Sequence, residues 1–244
     1  MRVIGRAAKA DSVADRGLEG RSRGADAVFD GVLDAVARQR LPPGTKLGEE
    51  NLAQIFTVSR AQVRAALSRL KGRGLVDMEP NRTAAIASPS VLEVRSIFAL
   101  RRWIEPELVA EVAQSLNRHG EAMLREHLER EQAARDTADR VEAVRLSGLF
   151  HTAIASLSGN RLAASYVAEL VDRSFLAIYL YQRPGSVVCV NEEHLCMMDA
   201  ISRRDPKGAY SAVADHLDHI LSRLDLQAPQ DAALDLKQAF RGIV

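Results

Sequence analysis

Cysteine, aromatic side chains and long uncharged runs are all scarce in this chain of 244 residues. The two cysteines, Cys189 and Cys196, are too few for a disulfide framework and lack the spacing of a metal-binding pair. A reducing cytoplasm fits them. The longest uncharged run, Leu146 to Asn160, contains Ser, Gly, His and Asn and is too short and polar to span a bilayer. The N-terminus carries no apolar core of a secretion signal, so no membrane or export role is expected. Aromatics make up only 5% of the chain, whereas Leu, Ala, Arg and Glu dominate, which favours helices over sheets. A hydrophobic content of 47% supports a real core, and the length suits two modest domains or one larger one.

Net charge is almost absent too, at +1, but its distribution is uneven. Residues 1–90 hold 15 Lys/Arg against 10 Asp/Glu, while residues 91–244 hold 18 against 22. A polyanion partner is therefore expected for the first part only. Residues 1–24, rich in Arg, Gly, Ala and Asp and without a sustained period, are expected to be a flexible basic arm. From Ala25 onward, Val28, Phe29, Val32, Leu33 and Val36 recur on one face and predict a first helix ending near Arg40. Pro42, Pro43 and Gly44 enforce a turn. Glu49 to Phe56 predicts a second helix, Thr57-Val58 a tight turn, and Ser59 the N-cap of a third helix. After Gly74, two short strands are expected around the turn Glu79-Pro80-Asn81-Arg82.

The expected fold is thus mainly α. A winged helix-turn-helix with a small β-hairpin wing (residues 25–87) leads through a linker (88–90) into an all-α antiparallel bundle (91–226). Six amphipathic segments make up that bundle, at roughly 91–116, 119–135, 139–157, 160–182, 190–203 and 206–225. Residues 227–244 form a C-terminal extension, in which Asp231 to Phe240 has the pattern of a further helix.

The third helix contains five cations (Arg60, Arg64, Arg69, Lys71 and Arg73) and no acid from Arg60 to Arg73. On a helical wheel Val63, Ala66, Leu67 and Leu70 share one arc and can pack inward. The opposite arc centres on Ala61, Ala65 and Ser68, with Arg64 and Arg69 at its flanks. Small residues permit close approach, and flanking arginines suit phosphates and guanine edges. An ordinary solvated face would mix Glu with Lys.

Residues 41–87, LPPGTKLGEENLAQIFTVSRAQVRAALSRLKGRGLVDMEPNRTAAIA, resemble the DNA-binding domain of GntR-type bacterial transcription regulators. The shared pattern is a Pro-Gly turn, a Leu-Ala helix, Val-Ser-Arg, Val-Arg-x-Ala-Leu, Gly-Leu-Val and a wing. The resemblance implies that Ser59, Arg60, Gln62 and Arg64 contact bases and phosphates of double-stranded DNA, with Arg69, Arg82 and Thr83 beside them. Gln62 stands where Pro or Thr is common, and its amide would suit an adenine edge. Thr83 replaces the glycine that often enters the minor groove.

Three histidines, His151, His194 and His216, lie on three different predicted helices, and spacing alone does not bring them together. Their segments LFHTAIASLSGN, NEEHLCMMDAI and DHLDHIL resemble the ligand-binding (FCD) domain of the FadR branch, and six helices place it nearer the VanR-like subgroup. That resemblance implies a divalent metal, zinc or nickel, held by the three histidines, with open positions for a carboxylate effector. Ser147 occupies the place of the aspartate that completes such sites. His219, one turn beyond His216, ranks second. Arg102 matches an arginine that often faces the effector pocket, a surface pair with Glu105 being its alternative. Arg173 is a further candidate carboxylate clamp.

The function expected is that of a transcription regulator, a repressor, that grips a palindromic operator as a homodimer and answers to a small organic acid. It would act in the bacterial cytoplasm, at the nucleoid when bound to DNA. Two other readings are a histidine-metal hydrolase, for which Glu192 and Glu193 lack an HExxH-type array, and a DNA-binding protein with a ligand-blind bundle.

Overall fold

The computed structural model describes residues 8–183, 191–227 and 236–241. Helix α1 runs from Ala8 to Ala37, and α2 (Glu49–Phe56) and α3 (Arg60–Gly72) complete a trihelical head. Residues 8–24, expected as an irregular arm, are the first turns of α1; despite Gly17, Gly20 and Gly24 the stretch contains no proline to interrupt a helix. Residues 1–7 lie outside the described residues.

Local chemistry fixes the ends of these helices. Thr57 terminates α2 in the left-handed region (φ 53°), and its N–H returns to the carbonyls of Ala53 and Gln54. Ser59 then starts α3 with a reciprocal cap: the Gln62 N–H donates to Ser59 Oγ, and the Ser59 N–H donates to Gln62 Oε1 at 2.8 Å. Val63, Ala66, Leu67 and Leu70 are fully buried, the inward arc expected from the wheel. Each of the larger three contributes about 1.5–3 kcal/mol by leaving water.

The wing pairs β1 (Val76–Asp77) antiparallel with β2 (Ala85–Ile86), in the register Val76↔Ile86 and Asp77↔Ala85. Gly44, at φ +81°, donates its N–H to Ile86 O, and Lys46 bridges to Ala85, so the Pro-Pro-Gly turn is stitched to the wing.

Six helices follow: α4 (Val91–Ser115), α5 (Arg118–Asp136), α6 (Arg140–Leu157), α7 (Arg161–Tyr181), α8 (Asn191–Ser202) and α9 (Pro206–Arg223). They fall within two residues of the predicted segments. Ser90, Asn117, Asp139, Asn160 and Asp205 each accept a backbone N–H at an N-terminus. Helix α4 packs along α9 and α7, and α5 along α6. Among the described residues, no helix is long and apolar enough to cross a membrane.

Head and bundle share one core. Val167, Val171 and Phe175 of α7 belong to the same buried cluster as Phe29, Leu67 and Leu70. Arg38 also reaches Glu142 of α6 at 2.8 Å. A short helix, α10 (Leu236–Ala239), delivers Phe240 back to the head, where its ring meets that of Phe56 edge-on at 5.0 Å. Arg40 donates to the carbonyl of Arg241 beside it.

Candidate nucleic-acid interface and histidine centre

On the head, Ser59, Arg60 and Arg64 sit at the exposed start of α3, as a DNA-reading helix requires. Glu49, at the N-terminus of α2, holds both arginines: Arg64 Nε lies 2.8 Å and Arg60 Nη2 3.6 Å from its carboxylate. Arg64 holds that carboxyl below its usual range. Gln62, whose amide would suit an adenine edge, caps the start of α3 in the absence of DNA. Its amide oxygen completes the Ser59 cap, and its nitrogen lies over Gly24, where an added Cβ would come within 2.2 Å. The pattern Ser59-Arg-Ala-Gln62 is itself a capping-box signature, so the sequence did carry this signal. Arg69 turns toward α1, paired with Asp26 and stacked 4.3 Å above the Phe29 ring. Arg82 and Thr83 lie exposed in the wing loop, with Arg82 paired to Glu79.

In the bundle, helices α6, α8 and α9 bring His151, His194 and His216 together. Their Nε2 atoms converge: His151 to His216 is 3.1 Å, His194 to His216 is 3.3 Å, and one nitrogen from each ring lies within 4.8 Å of the other two. All three side chains are buried.

Every Nδ1 meets a carboxylate on a neighbouring helix. Glu105 of α4 takes His151 at 2.6 Å, Glu131 of α5 takes His194 at 2.8 Å, and Glu193 of α8 takes His216 at 2.6 Å. These glutamates have cationic partners of their own in Arg101, Arg135 and Arg223. Burial works to raise Glu105, but Arg101 and His151 outweigh it and hold the carboxyl at about 2. Glu131 is lowered in the same way, burial being overcome by His194 and Arg135. Burial keeps His151 low, and it drives His216 well below the ordinary imidazole value, with the other two histidines adding to the effect.

Neutral rings whose Nδ1–H is donated to a glutamate must present lone pairs at Nε2. In that tautomer the Nε2 lone pairs of the three rings would converge, an arrangement that a cation relieves. Imidazole–zinc bonds of about 2.0–2.1 Å put tetrahedral ligand nitrogens about 3.3 Å apart, close to the spacings present. The carboxylate behind each ring is the support that fixes tautomer and orientation in metal sites. The donor set fits a divalent ion.

Ser147 is buried on α6, one turn before His151. Arg102, expected at the pocket, instead faces α9, with Nε 3.4 Å from Asp218 and its guanidinium 6.0 Å from the Tyr210 ring. The adjacent Arg101 is the buried one; it donates to Glu105 and to Ser174 Oγ. Arg173 lies away from the histidines, at the joint with the head, where it binds Glu169 and donates to the carbonyl of Arg73. His219 is exposed and shares Glu193 with His216. Of the cysteines, Cys196 is exposed and Cys189 lies outside the described residues.

Residues 25–86 match the bacterial regulatory proteins of the gntR family, and residues 96–219 match the FCD domain. The chain belongs to the GntR family of transcription regulators, in the group that carries an FCD domain. It is a DNA-binding regulator with a helical effector-binding domain, and both family and fold are those of regulators rather than enzymes. Among similar proteins, the regulator LutR of Bacillus subtilis is 30% identical over 74% of this chain and 91% of its own length. The repressor NanR of Cronobacter sakazakii is 27% identical over 83% and 85%. The repressor RspR of Escherichia coli is 25% identical over 74% and 79%. Among solved structures, Escherichia coli McbR/YncC superposes with a TM-score of 0.73 at 22% identity, covering 82% of this chain and 95% of the other. A putative GntR regulator from Rhodococcus gives 0.70 at 20% identity, covering 82% and 96%.

Proposed function

We propose that this regulator is a repressor that grips a palindromic operator as a homodimer and releases it when a small carboxylate occupies a metal centre formed by His151, His194 and His216. The observation that carries the reading is the convergence of three buried Nε2 atoms, each backed through Nδ1 by a glutamate. An ion bound there, zinc or nickel, would supply a Lewis-acid centre with positions open to a carboxylate. Ser147, on the same helix as His151, offers a neutral hydroxyl in place of a fourth charged ligand, which leaves the centre more positive and better suited to an anion. The named repressors among the relatives support repression as the action on DNA.

Dimer formation is supported by the apolar surface of α4 and α7. Leu92 and Trp103 on α4 are 75% and 72% exposed, with Leu100 between them, and α7 carries exposed Leu162 and Tyr166. Large apolar side chains exposed on α4 and on α7 suit a second copy. Two such copies would set two α3 helices on two half-sites. Such a regulator works in the bacterial cytoplasm, at the DNA it binds.

Metal analysis of the purified chain tests the centre. One equivalent of divalent metal is expected for the wild type and a large loss for His151→Ala; equal content in both would remove the three-histidine proposal. For the head, Arg64→Ala is expected to weaken operator binding roughly ten- to a hundredfold with the fold intact. Unchanged affinity would mean that α3 does not read DNA.

A further inference from the structure

Polar contacts run from the histidine centre to α7, and others run from the neighbouring residues of α7 to the end of the recognition helix. His151 Nδ1 meets Glu105, whose carboxylate binds Arg101 Nε, and Arg101 Nη1 donates 3.1 Å to Ser174 Oγ on α7. The two residues before Ser174 hold the far end of α3. Asp172 lies 3.0 Å from Arg73, and Arg173 Nε donates 3.0 Å to the Arg73 carbonyl. Gly74, at φ +69°, has the Arg173 guanidinium against its Cα, where a Cβ would fall 2.3 Å from Cζ.

We propose that α7 is the lever of the switch: Ser174 takes up movement of the His151–Glu105–Arg101 unit, and Asp172 and Arg173 deliver it to the C-terminal end of α3. The proposal rests on the histidine centre being the sensing site. Three physical arguments support it. Arg101 and Glu105 are almost fully buried, so breaking any link strands a charge in the interior, and the unit moves together or not at all. A helix is rigid over the one turn that separates Leu170 from Ser174, to which it is also tied through the Ser174 hydroxyl. A cavity of about 340 Å³ lies at the joint, lined by Gly74, Arg173, Leu170, Leu176 and the linker residues Ser88 and Pro89, and it gives α7 room to shift against the head. Small displacements at a packed joint of this kind are what rigid-body switches amplify.

The test uses the full chain, zinc chloride as probe, and hydrogen–deuterium exchange with metal analysis on the same samples. In the wild type, zinc is expected to slow exchange at least threefold around His151 and to alter it at least threefold at residues 70–76. Ser174→Ala is expected to bind the same zinc and keep the effect around His151 while losing it at 70–76. A change at 70–76 that survives at full size in Ser174→Ala overturns the lever, and so does bound zinc that leaves 70–76 unaltered in the wild type. Failure of the wild type to retain zinc strikes the metal reading instead. The lever is then decided without metal, by a double-mutant cycle of Arg101→Lys and Arg173→Ala on affinity for a duplex selected by the wild type from a random pool. Non-additivity above threefold supports it; agreement within threefold, the behaviour of independent sites, overturns it.

Discussion

Replacing Asp172 with Asn should favour the folded protein more at pH 8 than at pH 5. Asp172 is buried at the joint, and Arg73 approaches at ion-pair distance, yet its Oδ2 accepts no aligned hydrogen bond. Burial raises its carboxyl from the ordinary 3.8 to about 7, against the pull of Arg73 and with help from Glu169. The folded chain then keeps a proton on Asp172 that the unfolded chain releases above pH 4. Stability is therefore fully present below about pH 4, falls as pH rises, and levels off once pH passes 7. The whole span is worth at most about 4 kcal/mol, and the part between pH 5 and pH 8 about 2–3 kcal/mol. For a chain of this size that corresponds to about 5–10 °C in Tm. Other carboxylates titrate in the same range, so the measured quantity is the difference in Tm between Asp172→Asn and wild type, followed by calorimetry from pH 5 to pH 8. A difference that widens in favour of the variant is expected. If the variant instead loses ground above pH 5, the Arg73 pair outweighs burial and the reasoning fails.

Glu131→Gln removes the charge behind His194 and should weaken zinc affinity ten- to a hundredfold in a calorimetric titration; unchanged affinity would deny the carboxylate its supporting role. Gly74→Ala places a side chain in left-handed backbone and against Arg173, so a loss of at least about 1–2 kcal/mol is expected in denaturant melts. Phe240→Ala should cost about 3–5 kcal/mol and be felt in the head, as faster hydrogen exchange in α2, while Phe240→Leu recovers most of it. Glu49→Gln frees Arg60 and Arg64 and should tighten DNA binding a few-fold, most visibly at low salt.

Helix positions were legible because two signals agree at most boundaries: an apolar face with the period of a helix, and a capping Ser, Asn or Asp just ahead of it. The three histidines were legible only through the resemblance, since nothing in their spacing reveals that α6, α8 and α9 converge. Their pairing with Glu105, Glu131 and Glu193 is not legible in the sequence, because each pair crosses between helices and depends on how far each helix is rotated about its axis. The arginine at the site shows the same sensitivity. Adjacent helical residues point about 100° apart, so Arg101 is buried against Glu105 while Arg102 looks toward Asp218. Gln62 is a different case: its capping pattern is readable in Ser59-Arg-Ala-Gln62 itself.

The return of Phe240 to the head bears on how the protein is made. A ribosome completes α1, α2 and α3 long before it reaches Phe240, so the head leaves the exit tunnel with the ring of Phe56 lacking its aromatic partner. Its core closes only after the sensing bundle has been synthesised. A polypeptide cut short in translation therefore carries an intact recognition sequence on an unfinished scaffold, and operator DNA would be held firmly only by chains that also carry the means to let go.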